Sequence, residues 1–300
     1  QAGDMGVGTI FAKTGGAWLW TLAGSIVDGL DHDLKNVQAR FVVLDAVGGG
    51  IGETGGAGPH DYLDVDAVGS GTINAIADGD IFLAETDNDM HVDRIESRAG
   101  DVSLKAHQSI LDARDDGAAN VFGNSIELWA EFGQVGNQGQ DFDVDTRWSS
   151  AAATGTLSAT SLFNTYLIET AGDLYLGEVA TGADYTAFIL GPERILNGNP
   201  GGSNVASGAT RLFAGGDIGE ETNRLATAVG RLEGLSTGGE VWILNTGAMT
   251  VGGVTASGDG VQAPGSINIA AESPVTVAEN VTAASGDVVI HATDSAAAGD

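Results

Sequence analysis

One spacing constrains this chain more than any other feature: its segments recur 84 residues apart. Gly24-Ser25-Ile26-Val27-Asp28 returns as Gln108-Ser109-Ile110-Leu111-Asp112, and 109 − 25 = 84. The same offset relates Asn36-Val37 to Asn120-Val121, Leu44 and Ala46 to Leu128 and Ala130, Ile51-Gly52 to Val135-Gly136, and Glu85-Thr86 to Glu169-Thr170. Leu128 and Ala130 map on again to Leu212 and Ala214. The third copy is looser, with Ile218-Gly219 at an offset of 83 from Val135-Gly136 and Leu244 at 77 from Leu167. A chain that repeats at a fixed period builds one unit many times and buries each copy against the next.

A finer step lies inside the longer one. Gly265-Ser266-Ile267 and Gly286-Asp287-Val288 are 21 residues apart, and 84 is four times 21. About 21 residues suits one coil of three short strands with their turns. The local pattern is that of strands. Val102, Leu104 and Ala106 alternate with polar neighbours, as do Ile126, Leu128 and Ala130 and then Phe142 and Val144. Gly, Asn and Asp bound each run and supply the turns. The alignment also places Trp18 and Trp20 at inward positions. Leu225, Val229, Leu232 and Leu235 have helical spacing, but their repeat partners around Tyr62 to Ala75 alternate, so this stretch too is expected to be strand.

The predicted fold is therefore all-β: a right-handed parallel β-helix, or solenoid, with coils of about 21 residues grouped in repeats of about 84. It is expected to be a single continuous segment over 1–300, with copies at approximately 16–99, 100–182 and 183–285 and another starting at 286. Gln1 falls inside the repeat pattern, so the expectation is an excerpt of a longer chain.

Charge narrows the partners. Forty-one acidic residues against 12 basic ones give a formal net charge of −29, which repels nucleic acid and anionic membranes. No apolar run is long enough for a membrane-spanning helix. There is no Cys, which excludes disulfides, thiolate metal sites and a Cys nucleophile.

The sequence resembles the filamentous haemagglutinin-like β-helix proteins, also described as β-strand repeat-containing giant bacterial exoproteins. The resemblance rests on Gly100-Asp101-Val102-Ser103-Leu104, Ser109-Ile110-Leu111-Asp112-Ala113, Gly172-Asp173-Leu174-Tyr175-Leu176, the segment from Asn245 to Val254, and Ser273-Pro274-Val275-Thr276-Val277. It implies a secreted or cell-surface location and a structural or adhesive stalk, in adhesion or a biofilm matrix. Partners would be copies of the chain, neighbouring segments of the same giant protein, or host and matrix glycans or proteins. A self-assembling subunit of an extracellular filament or sheath is the alternative, and a polysaccharide-binding or -cleaving β-helix ranks third.

No enzyme activity is expected. The five histidines lack metal-ligand spacing, and no nucleophile elbow is present. Asp141, Asp143 and Asp145 sit at alternate positions, as do Asp64 and Asp66. Their first reading is a solvated outer face, with calcium bridging between coils as the alternative and no other cofactor. Phe82, Tyr166 and Ile243 lie opposite Leu83, Leu167 and Leu244 and read as an outward apolar stripe. Either a neighbouring segment covers that stripe or it is an interface, to which Trp129 and Phe213 add. Glu85, Glu169 and Asn245 read as polar groups turned inward at a coil corner, where turn N–H groups would have to satisfy them.

Overall fold

The computed structural model describes residues 3–30, 34–54, 60–146, 155–256 and 258–294. Among them there is no helix, and nearly every strand pairing is parallel. The chain divides into two units, Gln1–Gly155 with Ala159–Leu162 and Thr156–Ser158 with Phe163–Asp300. Each unit is a parallel β-solenoid.

In the first unit one inward column runs Ile26, Ile51, Ile81, Val102 and Ile126. A second runs Leu19, Leu44, Ala75, Ile95, Val121 and Val144. The second unit carries Leu174, Ile195, Ile218, Val241 and Ile267 in the same way. All these side chains are buried. Parallel pairing stacks equivalent positions, so β-branched residues sit on β-branched residues. Each buried Ile or Leu contributes about 1.5–3 kcal/mol, but only once a neighbouring coil covers it.

The coil of about 21 residues and the 84-residue repeat are both present, but their relation differs from fourfold. Ile26 to Val102 is three coils, in steps of 25, 30 and 21 residues, 76 in all. Ile110 lies eight residues further and belongs to another column, between Met90 and Val135. One repeat is thus three coils plus one further side, because loops inserted between strands lengthen individual coils.

The same insertions reverse the expected placing of the tryptophans. Leu19 points inward, while Trp18 and Trp20 are 61% and 64% exposed. From the last inward residue to the next column start is five residues in the first copy (Thr21 to Ile26) and four in the second (Ala106 to Ile110). A one-residue slip moves every side chain of a strand to its other face.

Leu225–Ser236 is a strand, as the repeat predicted. Leu225, Thr227 and Val229 alternate inward, then the phase shifts at Gly230-Arg231 and Leu232 is buried. The shift at this bend mimics helical spacing.

The inward polar groups are where the sequence placed them. Glu85, 1% exposed, stands in register with Val65, and its Oε2 accepts from the N–H of Ala67 at 2.7 Å. Asn245 stands in register with Thr227, and its Oδ1 accepts from the N–H of Val229 at 2.9 Å. Both reach the amide two residues past their ladder partner. The Nδ2 of Asn245 donates to the carbonyls of Thr246 and Gly247. Glu169 is fully buried. Burial, opposed by these N–H donors, lifts the Glu85 carboxyl to about 7.

Candidate functional site

The recurring segments mark a recurring device. In the first copy the chain leaves its column after Asp28 and returns at Asn36; in the second it leaves after Asp112 and returns at Asn120; in the third it leaves after Asn197 and returns at Asn204. Each returning Asn is fully buried and makes the same bonds. Its Nδ2 donates to a carbonyl of the preceding coil: Val7 at 2.8 Å, Val92 at 3.2 Å and Leu176 at 2.8 Å. It also donates across the loop mouth to Oδ1 of Asp28, Asp112 or Asn197. Its Oδ1 accepts from a backbone N–H of the following coil: Asp64 at 2.8 Å, Asp143 at 3.1 Å and Ala226 at 2.9 Å. The leaving residue caps its own loop by accepting from the N–H two positions on, at Leu30, Arg114 or Asn199. One asparagine thereby ties three coils together and closes a loop without breaking the ladder. Sequence reasoning listed Asn36 and Asn120 but missed this role; Asn204, at 204 − 120 = 84, was the remaining signal.

A second excursion follows one coil later, after Ile51-Gly52, Val135-Gly136 and Ile218-Gly219. These three glycines have φ of +72°, +66° and +69°. A side chain at Gly219 would stand 2.2 Å from the carbonyl oxygen of Trp242 as well as strain the backbone. Each excursion then folds back, pairing Glu53 with Asp61, Asn137 with Gln140, and Glu220 with Asn223 in antiparallel sense. The result is a pair of outward loops per repeat.

The candidate acidic residues lie on the ladder strands next to these loops: Asp64 and Asp66 on Leu63–Ala77, and Asp143 and Asp145 on Phe142–Asp145. Asp66 is buried and accepts from the ammonium of Lys35 at 2.7 Å, from Asn88 at 3.3 Å and from Gln38. Lys35 also pairs with Asp87. The Lys35 ammonium thus lies between the carboxylates of Asp66 and Asp87, and the backbone N–H of Asp64 is engaged in the Asn36 clamp. Asp143 is buried, not solvated as its outward phase suggested, because it lies against the loop carrying Asp112 and Asp116. Burial, then the charges of Asp112, Asp141 and Asp116, raise its pKa to about 6, with Arg114 opposing. Burial likewise raises that of Asp141. Asp145 is half-buried. Among the described residues no group of three or more His, Asp or Glu side chains is arranged to hold a metal ion. Calcium and magnesium at equal concentration are therefore expected to shift the thermal midpoint equally, by screening alone. A rise specific to calcium would contradict this.

Of the two alternatives for the outward apolar stripe, coverage by neighbouring segments holds at Phe82 and Tyr166. Phe82 is buried beneath Tyr62, edge to face at 6.3 Å, and Tyr166 stacks on Phe188 at 4.8 Å. Neighbouring segments of the chain cover both rings. Ile243 is inward, in register with Leu225 and Ile269, while Leu244 is outward and 48% exposed. The odd offset of 77 used to align Leu244 inverted the faces. Trp129 is outward under the ammonium of Lys105 at 4.7 Å, and Phe213 is half-buried in an outward column with Leu190 and Leu235. Comparison with protein-family models, with curated proteins and with solved structures finds no match.

Proposed function

We propose that the chain is a structural and adhesive segment of a secreted or cell-surface bacterial exoprotein, a solenoid scaffold that displays paired loops. The asparagine clamp carries this reading. It recurs in all three copies with the same donors and acceptors, and it serves only to let long loops leave a ladder that stays in register. The resemblance to filamentous haemagglutinin-like sequences supports the same role. In source cells, antibodies to the chain are expected to label intact cells or the culture medium. Labelling only after lysis would refute the reading.

Self-assembly into an extracellular filament is the second reading, favoured by the exposed outward rings of Trp18, Trp20 and Trp129. Electron microscopy over a concentration series separates the two: filaments that lengthen with concentration support assembly, and particles of constant size support the scaffold alone.

A further inference from the structure

The loop pair of the third copy encloses a groove of about 720 Å³, within the range of small-ligand sites. Its floor is the outer face of the ladder at Ala226 and Leu244, and its walls are the loop around Pro200 to Ser203 and the turn around Glu221 to Arg224. The walls are fixed from within. Asn197 Nδ2 donates to the carbonyl of Arg224 at 2.9 Å, Asn223 Nδ2 donates to the carbonyl of Asn197 at 3.2 Å, and Asn199 Nδ2 donates to the carbonyl of Ser203 at 3.2 Å. The Arg224 guanidinium is held by Asn268 at 2.9 Å and over the Trp242 ring at 5.5 Å. A rigid wall of this kind loses little freedom when a ligand binds.

We infer that this groove binds an uncharged oligosaccharide, an inference that rests on the scaffold reading. The lining offers what a sugar ring needs: flat C–H surface at Leu244, Ala226 and Pro200, beside the hydroxyls of Ser203, Thr222 and Thr246, which take no partner among the described residues. Two charges of opposite sign line it, Glu221 and Arg224, so the lining carries no net charge to select an anion or a cation. An extended peptide would seek an open strand edge, but Ala226, Leu244 and Ala270 are paired across the floor. The equivalent loop of the second copy differs in chemistry. There Asp112, Arg114 and Asp116 replace the amides of Asn197 and Asn199, which makes the third pair the one suited to a neutral polyol.

Calorimetric titration of the full chain tests this with maltohexaose, cellohexaose and chitohexaose as neutral probes, and with hexagalacturonate and an unstructured peptide as counter-probes. At least one neutral hexasaccharide is expected to bind with Kd at or below about 1 mM, typical of a shallow site. Leu244→Asp, at an exposed position that folding tolerates, should weaken it at least about tenfold, and Trp129→Ala in the first unit should leave it unchanged. No binding by any neutral probe, preference for the anion or the peptide, or indifference to Leu244→Asp would overturn the inference. None of these outcomes bears on cell-surface labelling, so the scaffold reading is judged separately.

Discussion

Stability of this protein is expected to fall as pH rises from about 4.5 to about 7.5, the reverse of ordinary acid denaturation. Glu85 has its folded pKa raised to about 7 from an ordinary value of 4.5. Between these values the folded state binds more protons than the unfolded one, so stability decreases with pH. Its contribution is fully present below the ordinary value, is lost as pH rises toward 7, and is constant above. A shift of this size corresponds to about 3 kcal/mol. Asp143, raised to about 6, acts in the same direction. Asp78 is held below its ordinary range by Arg98, but that pair is exposed and weak.

Glu85→Gln separates the buried group from the general charge effect. Gln can still accept from the N–H of Ala67, and Asn245 provides the precedent for its amide, donating to carbonyls at the equivalent corner. The variant is expected to match the parent near pH 4.5 and to exceed it by about 2–3 kcal/mol near pH 8. Urea midpoints across this range measure it. Parallel curves for parent and variant would show that Glu85 does not titrate as described.

Loss of one clamp should cost more than the loss of any surface feature. Asn120→Ala leaves the N–H of Asp143 unpaired in the interior, takes one of two donors from the carbonyl of Val92, which keeps the N–H of Ala113, and removes a donor from Asp112. One unsatisfied buried group costs about 1–3 kcal/mol and each further lost bond about 1 kcal/mol, so a total of about 2–4 kcal/mol is expected, short of strict additivity. The Asp variants should differ between copies. Asn120→Asp sets a second carboxylate against Asp112, whereas Asn204→Asp faces the neutral amide of Asn197. Asn120→Asp is therefore expected to be the more destabilised at neutral pH and to recover more on acidification. Equal loss in the two would mean that the mouth contact carries little energy.

Much of this architecture was legible in the sequence, and the rest was hidden for definable reasons. The 84-residue offset exposed the repeat because the clamp fixes residue types at Asp28 and Asn36, and the second excursion fixes them at Ile51 and Gly52, with their counterparts in the other copies. Glu85 was recognisable as inward because it shares phase with Leu83, whereas Asn245 shares phase with Ile243, which the repeat alignment sets outward, so its inward setting did not follow from phase. Side-chain facing failed wherever a turn changed length by one residue, as between Thr21 and Ile26, since nothing in the strand itself distinguishes Trp18 from Leu19 as the core residue. The coverage of Phe82 by Tyr62 and of Asp143 by the Asp112–Asp116 loop depends on where excursions fold, which spacing does not encode. Part of the clamp was visible, since Asn36 and Asn120 repeat, but its three-coil reach emerges only when preceding and following coils are stacked.

Amide hydrogen exchange, resolved by residue, tests the scaffold most directly. The amides of Asp64, Asp143 and Ala226, each bound to a clamping asparagine, should exchange as slowly as the ladder amides of Ile81 and Ile195. The loop amides of Asp116, Gly117 and Gly201 should exchange orders of magnitude faster. Fast exchange at all three clamped amides, or protection spread evenly through the loops, would contradict a rigid solenoid that holds its loops outward on asparagine clamps.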